Sequence, residues 1–309
     1  MTFISYAQNF EDVMLWRALS KIENGFYIDA GAWSPDFDSV TRAFYEHGWH
    51  GINIEPNPLW YKILCEKRTK DINIPVAISD QPGVLNLHIV SDTGLSTANM
   101  SYAREHESGG QVTQVISCQA DTLDNIWNQY VQNQEVQFLK VDVEGLEEET
   151  LRSNNWQRHR PWIVLVEATL PNTQTPAYQA WEPILLEAGY RFVYADGLNR
   201  FYVAKEHAEL ESAFSYPPNF FDQFKLFSHV QAESQLLATS NDLKSAQNDL
   251  KSAIEQIAAL DNWLKDAHTE LTIARQALLR LQNSRLYKVL RLLGLWKWFD
   301  SYLQNIKFQ

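Results

Sequence analysis

Between residues 26 and 205, short apolar runs alternate with longer amphipathic stretches, and few folds accept that order. The runs cover 26–30, 51–55, 74–79, 136–143, 162–167, 191–195 and 201–204. Several are rich in Val, Ile and aromatic residues, as strands buried on both faces are. The stretches 39–47, 58–67, 122–130, 146–154 and 178–188 predict helices. Strand–helix alternation implies a mainly parallel sheet covered by helices on both faces. The last two runs are separated only by Asp196, Gly197, Leu198, Asn199 and Arg200. That is too short for a crossover helix, so those two strands are expected as an antiparallel hairpin. Residues 81–111 are less regular. Residues 84–90 read as an extra strand, and 93–100 with 105–110 as a loop able to cover a site.

After Lys205 the character changes. Residues 214–227 hold Pro217, Pro218 and five phenylalanines, and read as a packed linker. A heptad follows. Leu236, Leu243, Leu250, Ile257, Leu264, Leu271 and Leu278 recur every seven residues. Three places on from each stand Thr239, Ala246, Ala253, Leu260, Ala267, Ala274 and Leu281. No Pro or Gly interrupts them, so a coiled coil about 70 Å long is expected, and with it a homo-oligomer. The tail, 284–309, is rich in Leu and Trp and carries Arg285, Lys288, Arg291, Lys297 and Lys307 against Asp300. A basic amphipathic segment can lie on an anionic membrane surface or dock on another subunit. The expected division is therefore a 1–205 domain, a 206–228 linker, a 229–283 coiled coil and a 284–309 tail.

A net charge of −12 argues against a general nucleic-acid binder, which depends on neutralising phosphates. Cys65 and Cys118 are the only cysteines; they fit a reducing compartment and are expected as buried small hydrophobes. Residues 1–12 show no apolar signal core, and no run reaches the ~20 apolar residues of a membrane span. The expected location is the cytoplasm, with peripheral contact at the inner membrane through the tail as a further expectation.

The chemistry concentrates at the ends of the apolar runs. The first ends in Asp29-Ala30-Gly31, where a glycine permits a tight turn and close approach of a ligand. Neither GxGxxG nor GxxxxGK[ST] is present, which favours a cofactor without a pyrophosphate and disfavours a nicotinamide dehydrogenase. The second run ends in Glu55, placed to accept hydrogen bonds from ribose hydroxyls. Asp80 follows the third, where it can meet an adenine amino group. In the fourth, Lys140, Asp142 and Glu144 share one side of a strand by period-two spacing. Ionisable groups in an apolar strand are costly unless paired or functional. Glu167 ends the neighbouring run and is expected at the same crevice, since open α/β sheets bind ligands at the carboxyl ends of their strands.

With these motifs in place, residues 3–205 resemble the FkbM family of methyltransferases. The likeness rests on residues 5–12, Asp29-Ala30-Gly31-Ala32, residues 44–49, residues 51–56, Thr122-Leu123-Asp124 and residues 139–145. It implies the class I methyltransferase variant of the Rossmann-like sheet, S-adenosylmethionine as donor, and O-methylation of a sugar or polyketide hydroxyl. Carried over, Asp29, Gly31 and Glu55 bind the donor and Asp142 sits near its sulfonium. Gln8, Glu11 and Asp12 fold over the cofactor or acceptor. Trp33-Ser34-Pro35 departs from the commoner Asn and small residue, which reshapes the pocket near the methionine part. The resemblance covers neither coiled coil nor tail.

Methyl transfer to a hydroxyl needs alignment of oxygen, methyl and sulfur, and removal of a proton. Asp142, Glu144 and Glu167 are the candidate bases, with Lys140 orienting them. The same carboxylates can hold Mg²⁺. His47, His50, His88 and His106 are alternative bases whose spacing forms no site. The expected acceptor is a hydroxyl of a glycan, a lipid-linked saccharide or a small molecule. A scaffold for surface-polysaccharide assembly, carrying a non-catalytic methyltransferase-like domain, is the rival reading.

Overall fold

In the computed structural model, which describes residues 2–90, 93–110, 112–297 and 301, the chain divides into two compact units, 1–231 and 232–309. The strands in chain order are β1 (Phe3–Ser5), β2 (Phe26–Ala30), β3 (His50–Ile54), β4 (Ile72–Ile74), β5 (Ala77–Ile78) and β6 (Gly83–Val90). They continue as β7 (Val112–Asp121), β8 (Phe138–Val141), β9 (Ile163–Glu167), β10 (Tyr190–Ala195), β11 (Asn199–Ala204) and β12 (Phe224–Leu226). The helices are α1 (Glu11–Leu19), α2 (Arg42–Glu46), α3 (Pro58–Lys67), α4 (Met100–Ser108), α5 (Leu123–Ile126), α6 (Glu147–Arg152), α7 (Glu182–Glu187), α8 (Phe227–Asn283) and α9 (Arg285–Leu292).

The main sheet has seven strands in the order β10-β11-β9-β8-β2-β3-β4. β4, β3, β2, β8 and β9 run parallel, and β10–β11 is the expected antiparallel hairpin, with β11 also antiparallel to β9. Alternation along β2 serves both faces. Phe26, Ile28 and Ala30 enter one core with Leu123, Trp127, Leu151, Trp181 and Leu185. Tyr27 enters the other with Met14, Leu15, Phe44, Phe138 and Phe214.

Four sequence expectations need correction. The third run is split by Pro75: β4 stays in the main sheet, while β5 joins a separate three-stranded sheet β5-β7-β6. β7 was not foreseen, and part of the expected covering loop is α4. Cys65 is exposed, because it lies on α3, where only Leu64 is buried; Cys118 is buried as expected. The Phe-rich segment does not bury all its rings: Phe220 and Phe221 are 85% and 86% exposed. That segment is nonetheless anchored. The Arg17 guanidinium donates to the carbonyls of Ala213, Tyr216 and Pro217 and forks onto the Asp222 carboxylate. β12 then pairs in parallel with β1.

In the second unit α8 buries no residue. Six of its seam residues, Leu236, Leu243, Leu250, Ile257, Leu264 and Leu271, are between 59% and 73% exposed. α9 is capped by Ser284, whose side chain accepts from the Tyr287 amide. Leu286, Val289 and Leu292 are exposed, and Tyr287 packs edge-on against Trp296. Trp298, Phe299, Asp300 and Lys307 of the tail lie outside the described residues. No helix among the described residues is long and apolar enough to cross a membrane.

Candidate active site

A cavity of about 590 Å³ opens at the carboxyl ends of β2, β3, β8 and β9. Its size falls among small-molecule sites. Gly31 turns the chain at the end of β2 with φ of +78°. A Cβ there would lie 1.7 Å from the Asp142 carbonyl oxygen, so β2 and β8 approach too closely for any side chain. The Gly31 amide donates to Ile54 O, which ties this turn to β3.

Glu55, directly after β3, is buried and lines the cavity. The Trp33 amide donates to its Oε2 at 2.8 Å and the Asn57 amide to its Oε1 at 2.7 Å. Each oxygen is thus aimed by one backbone donor and keeps acceptor capacity for a ligand. Burial pushes Glu55 up to about 7, against the two amides and Lys140, which favour the carboxylate. Asn57 also caps α3, accepting from the Leu59 amide, so one turn positions both carboxylate and helix.

Lys140 is opposite Asp29 in the β2–β8 register. Its ammonium donates to Gly31 O at 2.8 Å and lies 3.3 Å from Asp29 and 3.2 Å from Asp142. Burial alone would depress it; Asp142 and Asp29 outweigh that and raise it. Lys140 is therefore held as a cation between two carboxylates, which suits positioning.

The expectation that Lys140, Asp142 and Glu144 share a strand face holds only for Lys140. β8 stops at Val141, and Glu144 sits in a turn with φ of +51°. Oxygens of Asp142, Glu144 and Glu167 nevertheless lie within 4.8 Å of one another. Burial, then the neighbouring carboxylates, raise both Glu144 and Glu167 above the usual range. Glu144 Oε2 is buried and accepts no hydrogen bond among the described residues. Glu147 closes this turn by accepting from the Val143 and Gly145 amides, and burial lifts it to about 7. The covering segment is clamped on it: Thr97 donates to Glu144 O and Asn99 to Gly145 O.

Gln8, Gly31, Glu55, Lys140, Asp142, Glu144 and Glu167 all line the cavity. Asp29, Glu11 and Asp80 are not on its wall. Asp29 is 1% exposed, accepts from Thr41 and lies 3.3 Å from the Lys140 ammonium. Glu11 accepts from the Asn9 amide and the Asn199 side chain, and burial lifts it to about 8. Asp12 accepts from Ser5, Tyr6 and Ala7. These two acids knit the loop that presents Gln8. Asp80 is exposed because β5 leaves the main sheet; Val76, Ala77 and Ile78 form the wall instead. His47, His50 and His88 do not line the cavity, and the His106 side chain lies outside the described residues.

The sequence reading missed an aromatic pair on the wall. Trp33 and Trp60 stand edge to face at 5.4 Å. Trp33 has φ of +44°, which is strained for so large a residue. Its departure from the family pattern was the only signal. Asn172, Thr173 and Gln174 complete the rim.

The chain was compared with known proteins. No curated protein matches it. A TehB-like SAM-dependent methyltransferase from Corynebacterium glutamicum is a similar solved structure, with 8% identity and a TM-score of 0.35 over 63% of this chain and 88% of that one. Residues 29–192 match the methyltransferase FkbM domain, and this chain belongs to that family.

Proposed function

We propose that the chain is an S-adenosylmethionine-dependent O-methyltransferase acting on a sugar hydroxyl of a glycan or lipid-linked saccharide. The observation that carries the donor assignment is Glu55: a buried carboxylate, held by two amides on the cavity wall, beside the glycine turn of Gly31 on the same wall. Such a carboxylate suits the two hydroxyls of a ribose. The bound donor would supply an electrophilic methyl group on a cationic sulfur. Asp142, half-buried and held by Lys140, offers negative charge beside it. Burial and neighbouring carboxylates hold protons on Glu144 and Glu167, so either would accept a hydroxyl proton only after losing its own, which the positive charge of a bound sulfonium would favour.

A divalent cation is a second reading, favoured by the unpartnered Glu144 Oε2. An all-oxygen set of Asp142, Glu144 and Glu167 fits Mg²⁺. Methyl transfer that survives a strong chelator removes the cation. The apolar seam of α8 supports a coiled coil over 229–283 and a homo-oligomer. The exposed apolar and basic residues of α9 support membrane or subunit contact by the tail, 284–309.

The direct test is calorimetry of S-adenosylmethionine binding. Glu55→Ala should weaken binding at least tenfold, since it removes a charged acceptor from buried hydroxyls. Unchanged affinity discards the ribose assignment. Labelled donor with a cell-envelope extract then identifies the acceptor.

A further inference from the structure

The long helix carries its own prescription for a partner. Number the seam so that Leu236, Leu243, Leu250, Ile257, Leu264, Leu271 and Leu278 take position a. Position d is then Thr239, Ala246, Ala253, Leu260, Ala267, Ala274 and Leu281. In a parallel pair, a packs on a and d on d. Bulky Leu–Leu layers would then alternate with Ala–Ala layers at 246, 253, 267 and 274. Parallel two-stranded coils favour a β-branched residue at a and Leu at d, and only Ile257 fits the first requirement.

In an antiparallel pair, a packs on d, and a large residue meets a small one, the arrangement that fills a core without voids. With the seams fully overlapped, Leu243 meets Ala274, Leu250 meets Ala267, Leu264 meets Ala253 and Leu271 meets Ala246 of the other copy. The residues that break the Ala rule fall where symmetry needs them. Leu260 meets Ile257 beside the midpoint, and Leu281 meets Leu236 at the ends. Ile254 and Trp263 flank the same midpoint and are exposed, so the apolar stripe is widest at the expected two-fold axis.

Charge does not overturn this. A parallel pair would gain Glu270 beside Arg275, and the antiparallel one places Asp249 near Glu270. Both are exposed contacts, which contribute little.

We propose that a second copy of this chain covers α8, running antiparallel in the full-overlap register. The proposal rests on the homo-oligomer reading above. Its test uses the full chain with Cys65→Ser and Cys118→Ser, to which Leu243→Cys, Ala274→Cys or both are added. In the proposed pair the two copies of residue 243 stand about 46 Å apart at 1.5 Å per residue. Neither single variant should crosslink under mild oxidation. The double variant should give at least five times more covalent dimer, with a 243–274 disulfide found by peptide mapping. Leu264→Cys with Ala253→Cys should repeat the result should the first pair misfold, as judged by far-ultraviolet circular dichroism.

Light scattering separates the two levels. A monomer overturns the homo-oligomer reading and the proposal with it. A dimer in which Leu243→Cys alone crosslinks keeps the homo-oligomer and overturns the orientation. A mass above two chains overturns the two-stranded pairing.

Discussion

The catalytic unit and the long helix use the same apolar side chains to opposite ends. In the unit of residues 1–231, Ile28, Leu139, Val164 and Tyr202 are fully buried in a sheet whose helices come from the same chain. In α8, seven heptads of Leu, Ile and Ala bury nothing. A strand acquires its partner within the chain because β2 lies between β3 and β8. A helix with one narrow stripe acquires it from outside. The unit can therefore hide charged groups such as Lys140 and Glu55, while the helix has nowhere to put them. Its function is expected to lie in pairing.

The largest effect that tests this contrast is Gly31→Ala. The new Cβ meets backbone, and the residue must keep a positive φ, so a loss of about 3 kcal/mol is expected. Thermal melting should show it, together with loss of donor binding. The exposed Ala259 of α8 should accept Gly at about 1 kcal/mol, the ordinary helix penalty.

Arg17→Ala comes next. It removes a half-buried fork onto Asp222 and three carbonyls, and should cost about 2 kcal/mol in chemical denaturation.

Protonation gives a signed prediction. Burial raises Glu11 to about 8, Glu55 and Glu147 to about 7, and Asp12 to about 6. The folded chain therefore holds protons that the unfolded chain has released. The stability these groups supply should be fully present below about pH 4, the range where the unfolded carboxyls are protonated, and fall as pH rises from there to about 8. Donor affinity should move the other way, because the ribose contact needs the Glu55 carboxylate. Between pH 6 and pH 8 it should rise about tenfold. Parallel melting and calorimetry over that range check both signs, and a Glu55→Gln chain should lose the pH dependence of affinity.

The smallest effect concerns the catalytic unit in a broken seam. Ile257→Asp should dissociate the oligomer, seen by light scattering, and leave donor affinity within about twofold. A larger change would mean that the two regions are not independent.

Most of the sheet could be read from local pattern. β2 coincides with the 26–30 run, and the five residues between the last two runs are too few for anything but a hairpin. Glu55 and Gly31 were legible because strand ends in α/β sheets face ligands. The unread parts depend on contacts far apart in sequence. That Asp29 has the Lys140 ammonium beside it follows only from the β2–β8 register, which no local motif gives. Glu11 and Asp12 were read as folding over the cofactor or acceptor, and the amide partners that bury them are visible only in the fold. β7 needs β6 as its partner, and nothing within 112–121 names that partner. Asp80 was misplaced because Pro75 turns the chain out of the main sheet, which the apolar run conceals.

The short β1–β12 ladder has a mechanical consequence. Phe3, Ile4 and Ser5 pair in register with Phe224, Lys225 and Leu226, and α8 starts at the very next residue. Because the two strands are parallel, Ser5 and Leu226 leave the ladder at the same end, so load passed down from the helix would open the rungs one after another from that end. Three residues beyond Ser5 stands Gln8, on the wall of the cavity. The first strand thus links the foot of the helix, through three rungs and three further residues, to the cavity wall.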